Sequence, residues 1–186
     1  MAGPTSTTDI SVSKALARAK ELAARLEESE SGDGLVTKNK EIVTNFYEAM
    51  TNADHGKMNS LYAEDATFSD PVFSGLSGGE TRAMWTMLMT RAKNWSHRFE
   101  VLEVGKSLAH VKWVGMYDFS KTGRRVENHV DSWLVLQDSK IIAHVDLFDF
   151  WKWSRMALGP VGYVLGWSDF LRKKVGNQAK KGLRVS

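Results

Sequence analysis

The sequence predicts an α+β domain with helices laid over one face of a curved antiparallel sheet. Three observations predict it. Between Thr37 and Lys93 the apolar residues recur at spacings of three and four, as on helix faces. From Ser96 to Asp149 apolar and polar residues alternate, as in half-buried strands. The last two alternating stretches, His129–Gln137 and Lys140–Phe148, meet at Asp138-Ser139, which reads as a two-residue hairpin turn.

The chain has 186 residues, enough for one domain with a real core plus extensions. Its 42% hydrophobic and 25% charged residues are ordinary for a globular protein, and its net charge of +3 is mild. Without cysteine there is no disulfide framework, thiol nucleophile or thiolate metal site. No run approaches the roughly 20 apolar residues of a spanning helix. The first ten residues are polar, and Asp9, Glu21, Glu27 and Glu28 argue against a transit peptide. A cytoplasmic protein is expected. Three segments follow from the composition: a helix and linker over 1–36, a domain over 37–150, and a basic, Trp-rich tail over 151–186.

Residues 1–10 read as disordered. Ser11 to Glu30 reads as a helix whose stripe of Val12, Ala15, Leu16, Ala19, Leu22, Ala23 and Leu26 packs on its own domain or on a dimer mate. Ser29 to Gly34 is a linker by composition. In the domain, Ile42, Val43, Phe46, Tyr47 and Met50 mark the first helix face. Asp54 caps a short second helix that buries Met58, Leu61 and Tyr62. Ala66 to Phe73 is a short strand broken at Asp70-Pro71, hence an edge or a bulge. Ser74 to Gly79 is a loop, and Glu80 to Lys93 is a third helix. Strands follow at His97–Val104, Leu108–Phe119, Arg125–Gln137 and Lys140–Phe148, with Gly123 suited to a positive φ in the turn before Arg124. The tail breaks at Gly159-Pro160 and ends in a helix capped by Ser168. That helix carries Arg172, Lys173, Lys174, Lys180, Lys181 and Arg184 against a single Asp169. Beside Trp153, Tyr163, Trp167, Phe170 and Leu171 it either lids the domain or lies on an anionic membrane surface. No nucleic-acid module accompanies the charge.

The hairpin carries the chemistry. Alternation puts His129, Asp131, Trp133 and Val135 on one face with Ile142, His144, Asp146 and Phe148. A two-residue turn pairs Gln137 with Lys140, which sets Trp133 opposite His144 and Asp131 opposite Asp146. Two such carboxylates lie about 4.5–5.5 Å apart at Cβ, where one stays protonated or a cation sits between them. A one-residue change in register separates the pair. Other readings stay open. Asp70 caps the turn before Pro71 or acts as a base. Asp131 and Asp146 pair with Arg124, Arg125 or Lys112, or serve catalysis. The two His-x-Asp pairs are pocket histidines, catalytic groups or ligands of a divalent metal.

Asn45-Phe-Tyr-Glu-Ala-Met50, Leu61-Tyr-Ala-Glu-Asp-Ala-Thr-Phe-Ser-Asp70-Pro71-Val72 and Ile141 to Asp149, in this order of helices and strands, resemble the nuclear transport factor 2-like superfamily. The chain is most similar to its SnoaL-like polyketide cyclases and ketosteroid isomerases, over Glu41 to Asp149. The resemblance implies a cone-shaped sheet wrapped around a pocket, and pairing of two copies through the outer sheet face. It implies Asp70 as general base and Asp131 as the protonated acid of an oxyanion hole. The tyrosine partner of that acid falls on Phe46, and Tyr47 would point elsewhere. Asp146 matches the last-strand carboxylate of epoxide hydrolases of this fold, but their second aspartate and arginine fall on Gly115 and Trp113. Asp146 with His144 resembles the aspartate and histidine of SnoaL-like cyclases.

A cofactor-free isomerase or cyclase, acting by proton abstraction on a hydrophobic steroid- or polyketide-like carbonyl compound, is the function expected. Asp70, Asp131, Asp146 and His144 are its candidate catalytic residues. Phe46, Trp85, Met89, Trp113, Tyr117, His129, Trp133 and Phe148 are the candidate ligand contacts. No metal is assigned. The partners expected are a hydrophobic small molecule and a second copy of the chain, with peripheral membrane contact through the tail and no nucleic acid. The rival functions are a non-catalytic carrier or sensor of such a molecule, and an interaction protein working through its tail or N-terminal helix.

Overall fold

The computed structural model describes residues 7–29, 34–166 and 168–183. The readings of residues 1–6 as disordered and 30–33 as linker, and the roles of Glu30, Trp167 and Arg184, fall outside these residues.

The chain is α+β. Its helices are α1 (Thr7–Ser29), α2 (Leu35–Thr51), α3 (His55–Ser60), α4 (Gly78–Arg91), α5 (Phe150–Leu158), α6 (Pro160–Leu165) and α7 (Asp169–Lys181). Its strands are β1 (Tyr62–Ser69), β2 (Lys93–Val104), β3 (Leu108–Asp118), β4 (Arg125–Gln137) and β5 (Lys140–Leu147), ordered β1-β5-β4-β3-β2 in one curved sheet. The four later strands form the expected antiparallel meander. The first runs parallel to β5 at the sheet edge, with a register shift between Tyr62 and Thr67. Tyr62 therefore opens a strand rather than lying in the second helix.

Local chemistry sets the boundaries. Asp54 accepts from Lys57 N–H at 2.9 Å and starts α3. Ser77 and Glu80 form a capping box at the head of α4. Asp138 and Ser139 both take positive φ, 49° and 64°, the type I′ pattern that suits the twist of a hairpin.

The inner sheet face packs on α2 and α4. Phe46, Tyr47, Met50, Phe68, Met84, Leu134 and Ile141 are fully buried there. On the outer face α1 covers β4 and β5, setting Val12, Ala19 and Ala23 against Val135, Ala143 and Val145. The helix thus packs on its own domain, over part of the surface that the resemblance assigns to a partner copy.

The tail folds back onto the domain. Asp149 accepts from Lys152 N–H and starts α5, which buries Phe150, Trp153 and Ala157 against Val126. Thr122 Oγ donates to the Ala157 carbonyl at 2.6 Å, and Arg124 Nε to that of Met156 at 2.8 Å. Ser168 Oγ accepts from Leu171 N–H at 3.3 Å at the head of α7. Among the described residues, no helix is long and apolar enough to cross a membrane.

Helix α7 meets the loop after β1 at one point of close approach. A Cβ on Gly176 would sit 2.6 Å from the Val72 carbonyl oxygen. Gly176→Val is expected to push α7 off this loop at a cost of about 1–3 kcal/mol. Thermal unfolding measures that cost, and acrylamide quenching of the tryptophans measures the opening.

Candidate functional site

The hairpin turn is as expected, with Gln137 opposite Lys140 and Leu136 opposite Ile141. The next residue of β5, Ile142, is bulged, so Val135 pairs with Ala143. From there the register is displaced by one. His144 faces Leu134, Val145 faces Trp133, and Asp146 faces Ser132. The expected pairings of Asp131 with Asp146 and of Trp133 with His144 are therefore corrected. The bulge keeps Ile142 and Ala143 both toward α1, which is what their apolar contacts with that helix require.

The two His-x-Asp pairs consequently lie on opposite faces. His144 and Asp146 point inward. Asp131 points outward, hydrogen-bonded to His110 and registered beside Lys112. His129 is paired with Glu127 at 2.7 Å. Trp133 stacks on His110 at 3.9 Å, and Lys20 Nζ lies 3.8 Å from the centre of the Trp133 ring. Asp131, His129 and Trp133 share no pocket with Asp146, and a four-ligand metal site from the two pairs is not formed. Among the described residues, no group of three or more His, Asp or Glu side chains could hold a metal ion.

A cavity of about 210 Å³ lies between the inner sheet face, α4 and the tail. Trp85, Met89, Trp113, Tyr117 and Phe148 line it, with Trp153 and with Val175 and Gln178 of α7. Lys121 Nζ donates to Gln178 Oε1 at 2.9 Å and ties α7 across the cavity. The walls are mainly apolar, and three acidic residues line the space, Asp70, Asp118 and Asp146, of which Asp118 is bonded to Asn94 and Arg125. Phe46 is not a wall. It is buried behind the cavity, edge-on to Tyr62, Trp85 and His144.

Asp146 ends a buried hydrogen-bond chain. Ser132 Oγ donates to its Oδ1, and Trp113 Nε1 donates to Ser132 Oγ at 2.8 Å. His144 Nε2 lies 2.9 Å from the same Oδ1. His144 Nδ1 lies 2.5 Å from the Tyr62 hydroxyl, which in turn accepts from Trp85 Nε1 at 2.9 Å. One assignment satisfies every group. His144 is neutral and donates from Nε2, and Tyr62 donates to its Nδ1. Burial keeps the Tyr62 hydroxyl protonated, raising its ionisation well above the usual range. Tyr47 does not line the cavity. It is fully buried on α2, and the Asp146 charge adds to burial in raising its ionisation.

Asp70 sits in the loop closing β1. Its Oδ1 accepts from the backbone N–H groups of Val72 at 2.6 Å and Phe73 at 2.5 Å, so it does cap the turn. Burial nonetheless pushes its pKa up to about 7, partly offset by those two donors and reinforced by the charge of Asp146. Asp70 is thus a turn cap whose carboxyl also lines the cavity.

Ser132 and Tyr62 were absent from the sequence-based candidates. A serine on a strand carries no signal of its own. The signal was available only in the even-numbered residues of β4, Val130, Ser132, Leu134 and Leu136, which alternate as well as the odd ones do. Ser132→Ala leaves the Trp113 indole and one Asp146 oxygen short of a partner. A loss of about 1–3 kcal/mol in denaturant unfolding is expected.

The profile described as SnoaL-like domain matches residues 43–144, ending two residues before Asp146. No curated protein sequence matches the chain. Solved structures of the same fold include the phenazine biosynthesis-related protein phzb2 from Pseudomonas aeruginosa. It is 19% identical with a TM-score of 0.59, over 71% of this chain and 88% of that one. IdmH, a putative polyketide cyclase from Streptomyces antibioticus, is 17% identical with a TM-score of 0.53, over 67% and 98%. A hypothetical protein with a ketosteroid isomerase-like fold from Catenulispora acidiphila, in complex with trimethylamine, is 13% identical with a TM-score of 0.57, over 66% and 96%.

Proposed function

Because the chain belongs to the SnoaL-like domain family, we propose that it is a cofactor-free isomerase or cyclase that moves a proton on a hydrophobic, steroid- or polyketide-like carbonyl compound. One observation carries the reading: Asp70, whose pKa burial pushes up to about 7, and Asp146, on which two hydrogen-bond donors converge, line a single mainly apolar cavity.

The hydrogen bonds divide the labour. Two donors converge on Asp146 Oδ1, as they do on an ionised carboxylate, which leaves Oδ2 as the acceptor for a substrate proton. Asp70 carries a proton over much of the neutral range and donates it to the carbonyl oxygen. The C–H bond breaks toward Asp146 while the O–H bond of the enol forms from Asp70. Reprotonation at another carbon gives an isomer, and attack by the enol carbon on a second carbonyl closes a ring. These roles invert the expectation that Asp70 is the base. They replace the Asp131/Asp146 acid by Asp70 alone.

The test is a panel of hydrophobic β,γ-unsaturated ketones and poly-β-carbonyl compounds, followed by NMR for double-bond shift or ring closure. The reading expects product from at least one compound that binds. Tight binding across the panel with no product from any compound would establish the carrier reading, which the closure of the cavity by α7 favours.

A further inference from the structure

Helix α6 inverts the usual arrangement of a surface helix. It rests on α5 through glycine. A Cβ on Gly162 would lie 2.0 Å from the Ser154 carbonyl oxygen, and one on Gly166 would lie 2.1 Å from the Ser154 hydroxyl. Gly162 is the buried residue of this helix. The side facing solvent is apolar, with Val161 51%, Tyr163 61% and Leu165 38% exposed. Phe170 follows in the first turn of α7 at 67%, and Trp151 is 43% exposed on α5. A helix that turns glycine inward and large apolar residues outward is expected to bury those residues elsewhere.

The charge around this patch says what covers it. Lys152, Lys173, Lys174, Lys180 and Lys181 are exposed on α5 and α7, and Asp169 is the one acidic residue of the described tail. Lys174 Nζ lies 5.9 Å from the Phe170 ring, so cation and apolar anchor share one side of the helix. Lysine is depleted at protein–protein interfaces, whereas exposed lysines on the same helices as exposed aromatic and aliphatic side chains match an anionic lipid surface.

We infer that α6 and the head of α7 dock peripherally on an anionic membrane, with Val161, Tyr163, Leu165 and Phe170 entering the headgroup boundary and the lysines meeting lipid phosphates. The same α7 contributes Val175 and Gln178 to the cavity. Docking therefore sets the closed side of an apolar pocket against the phase in which a hydrophobic ligand dissolves. The proposal is independent of the chemistry at Asp70 and Asp146.

The experiment is co-sedimentation of the full chain with vesicles of phosphatidylcholine alone or with 30 mol% phosphatidylglycerol, at about 0.1 M salt, where charges more than roughly 10 Å apart are screened. Binding to the anionic vesicles is expected, and at least tenfold weaker binding to the neutral ones. Lys173→Gln/Lys174→Gln is expected to weaken it about 25-fold, at about fivefold per lysine. Tyr163→Ser/Phe170→Ser is expected to abolish it. All four residues are exposed, so circular dichroism should match the wild type. On the wild type itself, brominated lipid is expected to quench tryptophan fluorescence through Trp151. Absence of binding, absence of quenching, or binding unchanged in both double variants would overturn the proposal. So would loss of a self-associated or protein-bound form in the variants without any vesicle binding.

Discussion

Asp146→Asn is expected to lower turnover about 10²–10⁴-fold, the range over which a positioned base contributes, while the ligand still binds. The choice of asparagine matters. Its side-chain oxygen can still accept from Ser132 and His144, so the buried chain keeps its partners. What changes is the second atom, which becomes an N–H donor that cannot take a proton. Asp146→Ala would instead strand two buried donors and confuse a folding defect with a chemical one. Steady-state kinetics on a turned-over compound, beside ligand titration by tryptophan fluorescence, separates kcat from affinity. Turnover within threefold of the wild type would remove Asp146 from the base's role.

The second large effect is on stability and runs through Asp70. Its carboxyl is near its ordinary value of 3.8 in the unfolded chain and about 7 in the fold. The folded state thus holds a proton that the unfolded state has released. Stability from this group is fully present below pH 3.8 and is lost as pH rises through 7. Between pH 5 and pH 8 the loss is about 3 kcal/mol, at about 1.4 kcal/mol per pH unit over the interval below 7. His97 acts in the opposite sense. Burial lowers its pKa from 6.5 to about 4, so its contribution is lost as pH falls below 6.5. Asp70→Asn removes the first effect and keeps the second. The difference between wild type and variant in urea unfolding at pH 5 and pH 8 therefore isolates Asp70. A difference that does not change with pH would place Asp70 in an ordinary solvated environment.

Much of the fold was legible because local signals agreed with one another. Spacing marked α2 and α4, Asp54 marked α3, and alternation marked the four strands of the meander. Even the turn was readable, since Asp138 and Ser139 are residue types that tolerate local turn geometry. The site was legible only as a set of residues. Asp70, Asp146 and five of the wall residues line one cavity, with His144 buried behind Asp146. Which of them share a face turned on Ile142, and its bulge is set by contact with α1, more than a hundred residues away in sequence. Pattern reading within the hairpin cannot see that contact. Tyr62 was obscured in a different way. Its neighbours Met58 and Leu61 continue a helical spacing that the chain abandons for an edge strand, because β5 offers Tyr62 a backbone partner at Ile141.

The chain from Trp85 to Trp113 also has a direction. Both ends are indoles, which give a hydrogen and cannot take one. Every link between them points toward Asp146, from Trp85 through Tyr62 and His144 on one side and through Ser132 on the other. A proton arriving on that carboxylate meets no onward acceptor in the wall behind it. The wall works as a dead end rather than a wire, and the proton's way out is back across the cavity. If Asp146 is the base, a ligand deuterated at the reacting carbon is expected to keep its deuterium, moved to another carbon of the same molecule, as mass spectrometry of the product would read.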